Sequence, residues 1–419
     1  MKKPLIQTVY PPTLSLSWLN PALVFFISLL DGAAASMVFT TLIPLVIQPK
    51  YHFFASALPH QTRIIFLGIL LAMMPVGQLI GAPFWGRLAD RRGRKKILIV
   101  TLAGSILGFM MTAIAIHSFF IGLLIAARLL TGFTASNIAI GQASLADTHK
   151  NKTRTGSFNI QQIAIGIGLG AGPAFATFFS GGGHFSRPFY LIAIIYIILT
   201  LFVCVGFKET YRPGNTASTQ THGFFSVFRT IHQMLKNKPA RNALITFTLF
   251  MLGWNLYFQF STVFWMKQYH LNNHQLSHVF IFISCMALFA QLFLVQPLSR
   301  ILPPARVIPW ALFGVAATFI ILAFVPFHWS FYLTLSLYCL CIAFLITHLV
   351  THVSLSASAI QQGTILGMLV SMSALASLSI TSIGGFIVAY FPLAPFVLSS
   401  AIILSSLAFW LFAQHKVKT

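Results

Sequence analysis

The sequence predicts an all-α membrane protein of twelve transmembrane helices in two pseudo-symmetric six-helix bundles, and three observations carry that expectation. Hydrophobic residues make up 57% of the 419-residue chain and charged residues 7%, with 42 Phe and a mean hydropathy of +0.85, a composition outside the range of soluble domains. Apolar segments long enough to cross roughly 30 Å of hydrocarbon recur along the whole chain. A polar stretch at 208–239 divides them six and six.

Taken in order, residues 1–19 form a tail with Lys2, Lys3, Pro4, Pro11 and Pro12. No small-residue cleavage site precedes the first span, so the tail reads as retained and cytoplasmic. The first bundle, 20–207, contains spans near 20–47, 62–86, 97–116, 118–146, 158–180 and 188–207. The second, 240–413, contains spans near 240–266, 275–299, 305–325, 329–350, 361–390 and 392–413, followed by a tail at 414–419. The central loop opens with Lys208-Glu209-Thr210, where Glu209 reads as solvated. It continues with Phe224, Phe225, Val227, Phe228, Ile231, Met234 and Leu235 among basic residues, the pattern of an amphipathic helix lying at the membrane interface.

Charge sets the orientation. Of the 26 Lys and Arg residues, only Lys50, Arg63, Arg187 and Lys267 fall in the loops on one side, and Arg128 lies within a span. The remainder gather on the other side with both termini, which the positive-inside bias makes cytoplasmic. The formal charge of +22 reflects a shortage of acids, only 4 in the chain. No aromatic-interleaved basic patch accompanies it, so nucleic acid is not an expected partner. Cys204, Cys285, Cys339 and Cys341 fall in apolar stretches without disulfide or zinc spacing. No nucleophile or nucleotide constellation points to an enzyme, and neither a cofactor nor a metal is implied.

Between the second and third spans runs Gly86-Arg87-Leu88-Ala89-Asp90-Arg91-Arg92-Gly93-Arg94-Lys95-Lys96. Glycine permits a tight turn, the cations resist crossing the bilayer, and Asp90 can pair with them or accept from a helix N-terminus. The pattern Gly-x-Leu-Ala-Asp-Arg-x-Gly-Arg-Lys resembles the signature loop of the major facilitator superfamily of secondary transporters. That resemblance implies two six-helix halves that rock about a midplane substrate site, with Gly86, Asp90, Gly93 and Arg94 at the cytoplasmic gate. Asp147, at the end of the fourth span, matches an acid that the family often places beside this loop. In the second half, Gln296-Pro297-Leu298-Ser299-Arg300-Ile301 is only a weak echo, with Pro303 where Asp90 would stand.

Ionisable groups within a membrane are costly and usually functional. Asp31 lies about 16 Å along the first span at 1.5 Å per residue, and Arg128 lies at nearly the same depth in the fourth, so a pair is expected. Arg128-Leu129-Leu130-Thr131-Gly132 resembles the fourth-helix signature of proton-coupled members, with Thr131 in place of the usual Gln. Gly168-Leu169-Gly170-Ala171-Gly172-Pro173 resembles the fifth-helix signature of drug:proton antiporters, of which tetracycline-resistance proteins are one kind. Asn159 replaces a glycine upstream, and Ala176-Thr177 replaces the Gly-Gly pair downstream. Gly168, Gly172 and Pro173 also suit close helix packing with no further role. Asp31 is the expected proton carrier and Arg128 its partner in proton handling.

The substrate cavity is expected to be lined by Asn137, Gln161, Gln162, Asn255, Tyr257, Gln259, Gln291, Ser371, Ser373 and Ser377, with Trp254, Phe258 and Phe260 around it. Such a polar, mostly uncharged lining suits a medium-sized amphipathic solute. His270, His274 and His278 recur every four residues, and His348 and His352 share a face. Such pairs can bind a metal, but with no carboxylate or cysteine beside them they read as interfacial, with His348 able to line the cavity. Three readings remain: a proton-coupled exporter of amphipathic small molecules or drugs, a proton-coupled carrier of a specific metabolite such as a siderophore or nutrient, and a non-transporting scaffold or sensor. The expected setting is a bacterial cytoplasmic membrane, and the expected partners are a small-molecule substrate, protons and lipid, with the chain a monomer.

Overall fold

The computed structural model describes residues 19–54, 58–148, 151–210, 238–299, 301–355 and 362–418. The amphipathic helix expected near 224–235 therefore lies outside the described residues. Among the described residues, twelve helices are long and apolar enough to span a membrane. Helices suit that setting because each satisfies its own backbone hydrogen bonds where water is absent.

In the first half these are α1 (Leu19–Ser36 continued by Val38–Ile47), α2 (His60–Arg92), α3 (Arg94–His117), α4 (Ile121–Thr134 and Asn137–Thr148), α5 (Asn151–Phe179) and α6 (Arg187–Gly206). In the second half they are α7 (Lys238–Gln268), α8 (Asn273–Phe289 extended by Ala290–Val295 and Gln296–Leu298), α9 (Pro304–Phe324), α10 (Trp329–Leu355), α11 (Gln362–Tyr390) and α12 (Ala394–Lys418). Successive spans alternate in direction, so the Arg87–Lys96 loop marks one end of the bundle, here the basic end, and the opposite end is distal.

Side-chain faces follow the helical period. On α6, Phe189, Ile192, Tyr196, Leu199 and Val203 are buried at steps of three and four, whereas Ile194, Ile197, Ile198, Leu201, Phe202 and Val205 are exposed. In a bilayer the second set meets lipid.

Three spans are interrupted. In α1, Met37 is a turn residue between two helical segments, and the Thr41 hydroxyl donates to its carbonyl at 2.8 Å. Pro44 follows about two turns after Met37 and removes a backbone donor. In α4, Ala135 has ψ 55°, outside the helical range, and the Ser136 amide donates to Thr134 at 2.7 Å. In α8, Ala290–Val295 is a π-helix, a local widening that recurs at functional positions.

The halves meet mainly through α2 with α11 and α5 with α8, and the Val38–Ile47 segment of α1 also reaches α7 and α8. Several of these contacts lie in the distal part. Phe39 of α1 stacks on Phe280 of α8 at 5.4 Å and meets Phe258 of α7 edge-on at 5.0 Å. The Thr177 hydroxyl donates to the Asn273 carbonyl at 3.3 Å. Gly68 and Gly385 let α2 and α11 touch backbone to backbone, since a Cβ at Gly68 would sit 2.7 Å from the Gly385 Cα. A cavity of about 330 Å³ lies at this distal seam, lined by Gln48, Lys50, Thr177, Ser180, Asn273 and His274 among others.

Gly68→Val should force the distal seam apart. Maleimide labelling of a cysteine placed at Thr177 should then rise severalfold over the same cysteine in an otherwise unchanged chain. Equal labelling would show that α2 and α11 do not hold the seam closed.

Candidate functional site

Asp31 stands on α1 one and a half turns before the Met37 interruption, half-buried among uncharged groups. Its Oδ1 accepts from the Tyr196 hydroxyl of α6 and from Asn137 Nδ2 of α4 at 3.2 Å. Asn137 Nδ2 also lies 3.4 Å from Ser105 Oγ of α3. One turn before Asp31, Ser28 accepts from Gln161 Nε2 of α5 at 2.9 Å, and the same amide reaches the Ile138 carbonyl at 3.1 Å. Five helices thus deliver polar side chains to one region inside the first half. Asn137 can join because the break in α4 places it at the start of the second segment.

The expected Asp31–Arg128 pair is not made. Arg128 is 4% exposed, its guanidinium reaches the Met74 sulfur of α2 at 3.3 Å, and its Nε has no described partner. Equal depth did not bring the two side chains together: Arg128 turns toward α2 and Asp31 toward α4 and α6. Asn137, expected to line a cavity, is instead 1% exposed and belongs to the Asp31 cluster. Tyr196 was not singled out in the sequence. The signal available was a hydroxyl-bearing residue in the middle of an otherwise apolar span.

The fifth-helix glycines divide between two neighbours. Gly168 and Gly172 abut the α1 backbone near Leu29 and Ala33, while Gly170 abuts Ser284 and Gly166 lies beside Leu288 of α8. The Pro173 carbonyl accepts from Thr40 at 3.4 Å. Small residues at alternate positions thus let α5 pack tightly on its own half and on the other half at once.

At the basic end, Asp90 and Arg94 form an i,i+4 ion pair at 2.7 Å. Gly86 has open space where a Cβ would be. Gly93 has φ 100°, and a Cβ there would sit 2.5 Å from Glu209 Oε2. Glu209 is not merely solvated as expected: its carboxylate accepts from the backbone amides of Arg94 at 2.8 Å and Lys95 at 3.1 Å. It closes the N-terminus of α3, where unpaired amides and the helix dipole favour an anion. Asn20 fixes the same segment by exchanging hydrogen bonds with the Lys208 backbone at 2.9 and 3.0 Å. The side chains of Asp147 and Ser371 lie outside the described residues.

In the second half the expected cavity residues separate. Gln259 donates to Ser377 at 3.1 Å and Thr381 at 2.6 Å of α11. Gln291, in the π segment of α8, lies 3.4 Å from the Thr347 hydroxyl. Gln162 is exposed on α5. Three others are corrected from cavity to interior. Tyr257 is buried and stacks on Phe319 at 4.0 Å, and Asn255 bonds back to the Met251 carbonyl of its own helix at 2.8 Å. His348 is 2% exposed, with Nδ1 held 2.8 Å from the Phe344 carbonyl. Trp254 stacks on Phe258 at 5.0 Å, and Phe258 reaches Phe39 across the seam.

Residues 24–381 match the sequence pattern of the Major Facilitator Superfamily. The chain belongs to that superfamily. Its fold agrees with solved members: the D-xylose-proton symporter aligns with a TM-score of 0.76 at 14% identity, covering 94% of this chain and 98% of that one. The human organic anion transporter MFSD10 (TETRAN) aligns with a TM-score of 0.69 at 19% identity, covering 94% and 99%. Among curated relatives, the class B tetracycline resistance protein of Escherichia coli is 29% identical over 206 residues, 45% of this chain and 50% of that protein. The chain thus spans about half the length of such relatives. Membership of the superfamily and the twelve apolar spans among the described residues make it an integral membrane protein.

Gly93→Ala should destabilise the basic loop because a φ of 100° is a backbone conformation that L side chains rarely adopt. The strain costs on the order of 1–3 kcal/mol, read as a lower apparent Tm in detergent. The same substitution at Gly86 should leave Tm unchanged, and equal losses at both sites would contradict this assignment.

Proposed function

We propose that the protein is a proton-coupled secondary transporter that works by alternating access and exports amphipathic small molecules. Asp31 carries this reading. Of the four acids in the chain, it is the one set deep within a span, whereas Asp90, Asp147 and Glu209 lie at the basic end. An acid at that depth is costly unless it is used. Partial exposure gives it a route to water, and a carboxylate that gains and loses a proton supplies a charge change that two conformations can feel differently.

Arg128, desolvated and without an acidic partner among the described residues, is assigned a supporting role in proton handling. The basic end is cytoplasmic, in keeping with the distribution of Lys and Arg, and the protein acts as a monomer in a bacterial cytoplasmic membrane. The Phe39–Phe258–Phe280 contacts, the Thr177–Asn273 bond and the Gly68–Gly385 contact are then the ones that part when the site opens outward. The basic loop, with Gly86, Asp90, Gly93, Arg94 and Asp147, works at the inner gate.

The cargo assignment rests on the uncharged polar side chains of Gln162, Gln259 and Gln291, on the Trp254–Phe258 aromatic pair, and on the tetracycline-resistance relatives. A carrier of one specific metabolite is the second reading, favoured by Ala176 and Thr177 where the drug-antiporter signature has glycines.

Inside-out vesicles test this directly. With an inward-acid gradient, wild-type vesicles should accumulate tetracycline, and Asp31→Asn vesicles should fall to the level of vesicles lacking the protein. Gradient-driven uptake that survives in Asp31→Asn would remove the coupling role. Absence of uptake by wild type would remove the cargo assignment and favour the metabolite carrier.

A further inference from the structure

The hydrogen bonds around Asp31 are unevenly shared between its two oxygens. Both described donors, the Tyr196 hydroxyl and Asn137 Nδ2, converge on Oδ1, and no described donor reaches Oδ2. Tyr196 is itself locked. It is 1% exposed, lies on the buried face of α6, and its ring packs 5.3 Å from that of Phe109 on α3. Its hydroxyl therefore has little freedom to leave the carboxylate.

Several helices surround the site. Ser105 approaches from α3 through Asn137, Asn137 from α4, Gln161 from α5 through Ser28, and Tyr196 from α6. Tyr196 is the titratable group among them, and Arg128 of α4 points to Met74 instead.

We propose that Tyr196 is a positioning residue for proton exchange at Asp31: with Asn137 it pins Oδ1, so that Oδ2 takes up and releases the proton. This rests on the reading of Asp31 as the proton carrier. In the exchange an O–H bond forms at Oδ2 with a proton delivered by water, and the same bond breaks on release. Tyr196 keeps its own proton throughout, because Oδ1 remains an acceptor in both states. With Oδ1 pinned by two donors, Oδ2 keeps one position, clear of described donors. Donors on Oδ1 also favour the charged form, so the phenol tunes the pH at which the site exchanges as well as its direction. A tyrosine that merely filled space or fastened α6 would have no such effect.

The scarcity of acids makes the test tractable. In the full-length protein in lipid nanodiscs, a pH titration followed by infrared difference spectroscopy reports protonated carboxyl groups, and the band missing from Asp31→Asn belongs to Asp31. In Tyr196→Phe the midpoint of that band should move to higher pH by about one unit, a tenfold change in proton affinity. Site-specific 3-fluorotyrosine at position 196, a stronger donor of nearly the same shape, should move it to lower pH. The fluorinated protein carries the test if Tyr196→Phe does not fold. An unchanged midpoint in the folded variants would overturn the role of Tyr196 while leaving Asp31 as the carrier. Absence of any titrating band lost in Asp31→Asn would overturn the reading of Asp31 itself.

Discussion

A half-buried carboxylate inside a membrane bundle, with no cation beside it among the described residues, is the constraint around which the first half is built. Removing such a charge from water costs several kcal/mol even after relaxation, while a hydrogen bond to a charged group returns roughly 1.5–3 kcal/mol. Two donors on Oδ1 therefore offset much of the cost without cancelling it. A full ion pair with Arg128 would have compensated the charge more completely and would also have held it permanently. The arrangement found leaves Asp31 hydrogen-bonded through Oδ1 and without a cation beside it among the described residues, which is what the proposed change of protonation state requires.

Meeting that constraint requires close helix approach, and the glycines provide it. Asn137, Gln161 and Tyr196 reach α1 from three different helices, so α1 must lie near α4, α5 and α6 at once. Gly32 is one reason it can, since a Cβ there would come within 2.7 Å of the Ile165 carbonyl of α5. Gly168 and Gly172 act on the facing side of the same contact. Because Gly166 and Gly170 turn the other way toward α8, one helix links the acid's surroundings to the seam between the halves. Around Pro173, α5 therefore packs on α1 and α8 at once.

The parts of this arrangement that depend on one dimension were legible in the sequence. Span number, the six-and-six division and the Asp90–Arg94 spacing follow from hydropathy and from residues four apart on one helix. The isolation of Asp31 follows from composition. What was lost is direction around the helix axis. Asp31 and Arg128 share a level but face different neighbours, and nothing in a depth count distinguishes the two cases. Tyr257 and Gln259, two residues apart, lie about 200° apart around a helix. The contact of Gln259 with α11 therefore goes with Tyr257 facing Phe319 in the interior. Asn137 was misplaced because the break at Ala135–Ser136 has no proline or glycine to announce it. Glu209 was misread because its partners are backbone amides of a distant segment, which leave no trace in side-chain pattern.

The most direct test of a carboxylate held in readiness is to watch its proton leave. In weakly buffered solution, purified wild-type protein should release protons into the medium when tetracycline is added, and Asp31→Asn of equal thermal stability should release none. Equal release by the two proteins would place the titrating group elsewhere and contradict the account.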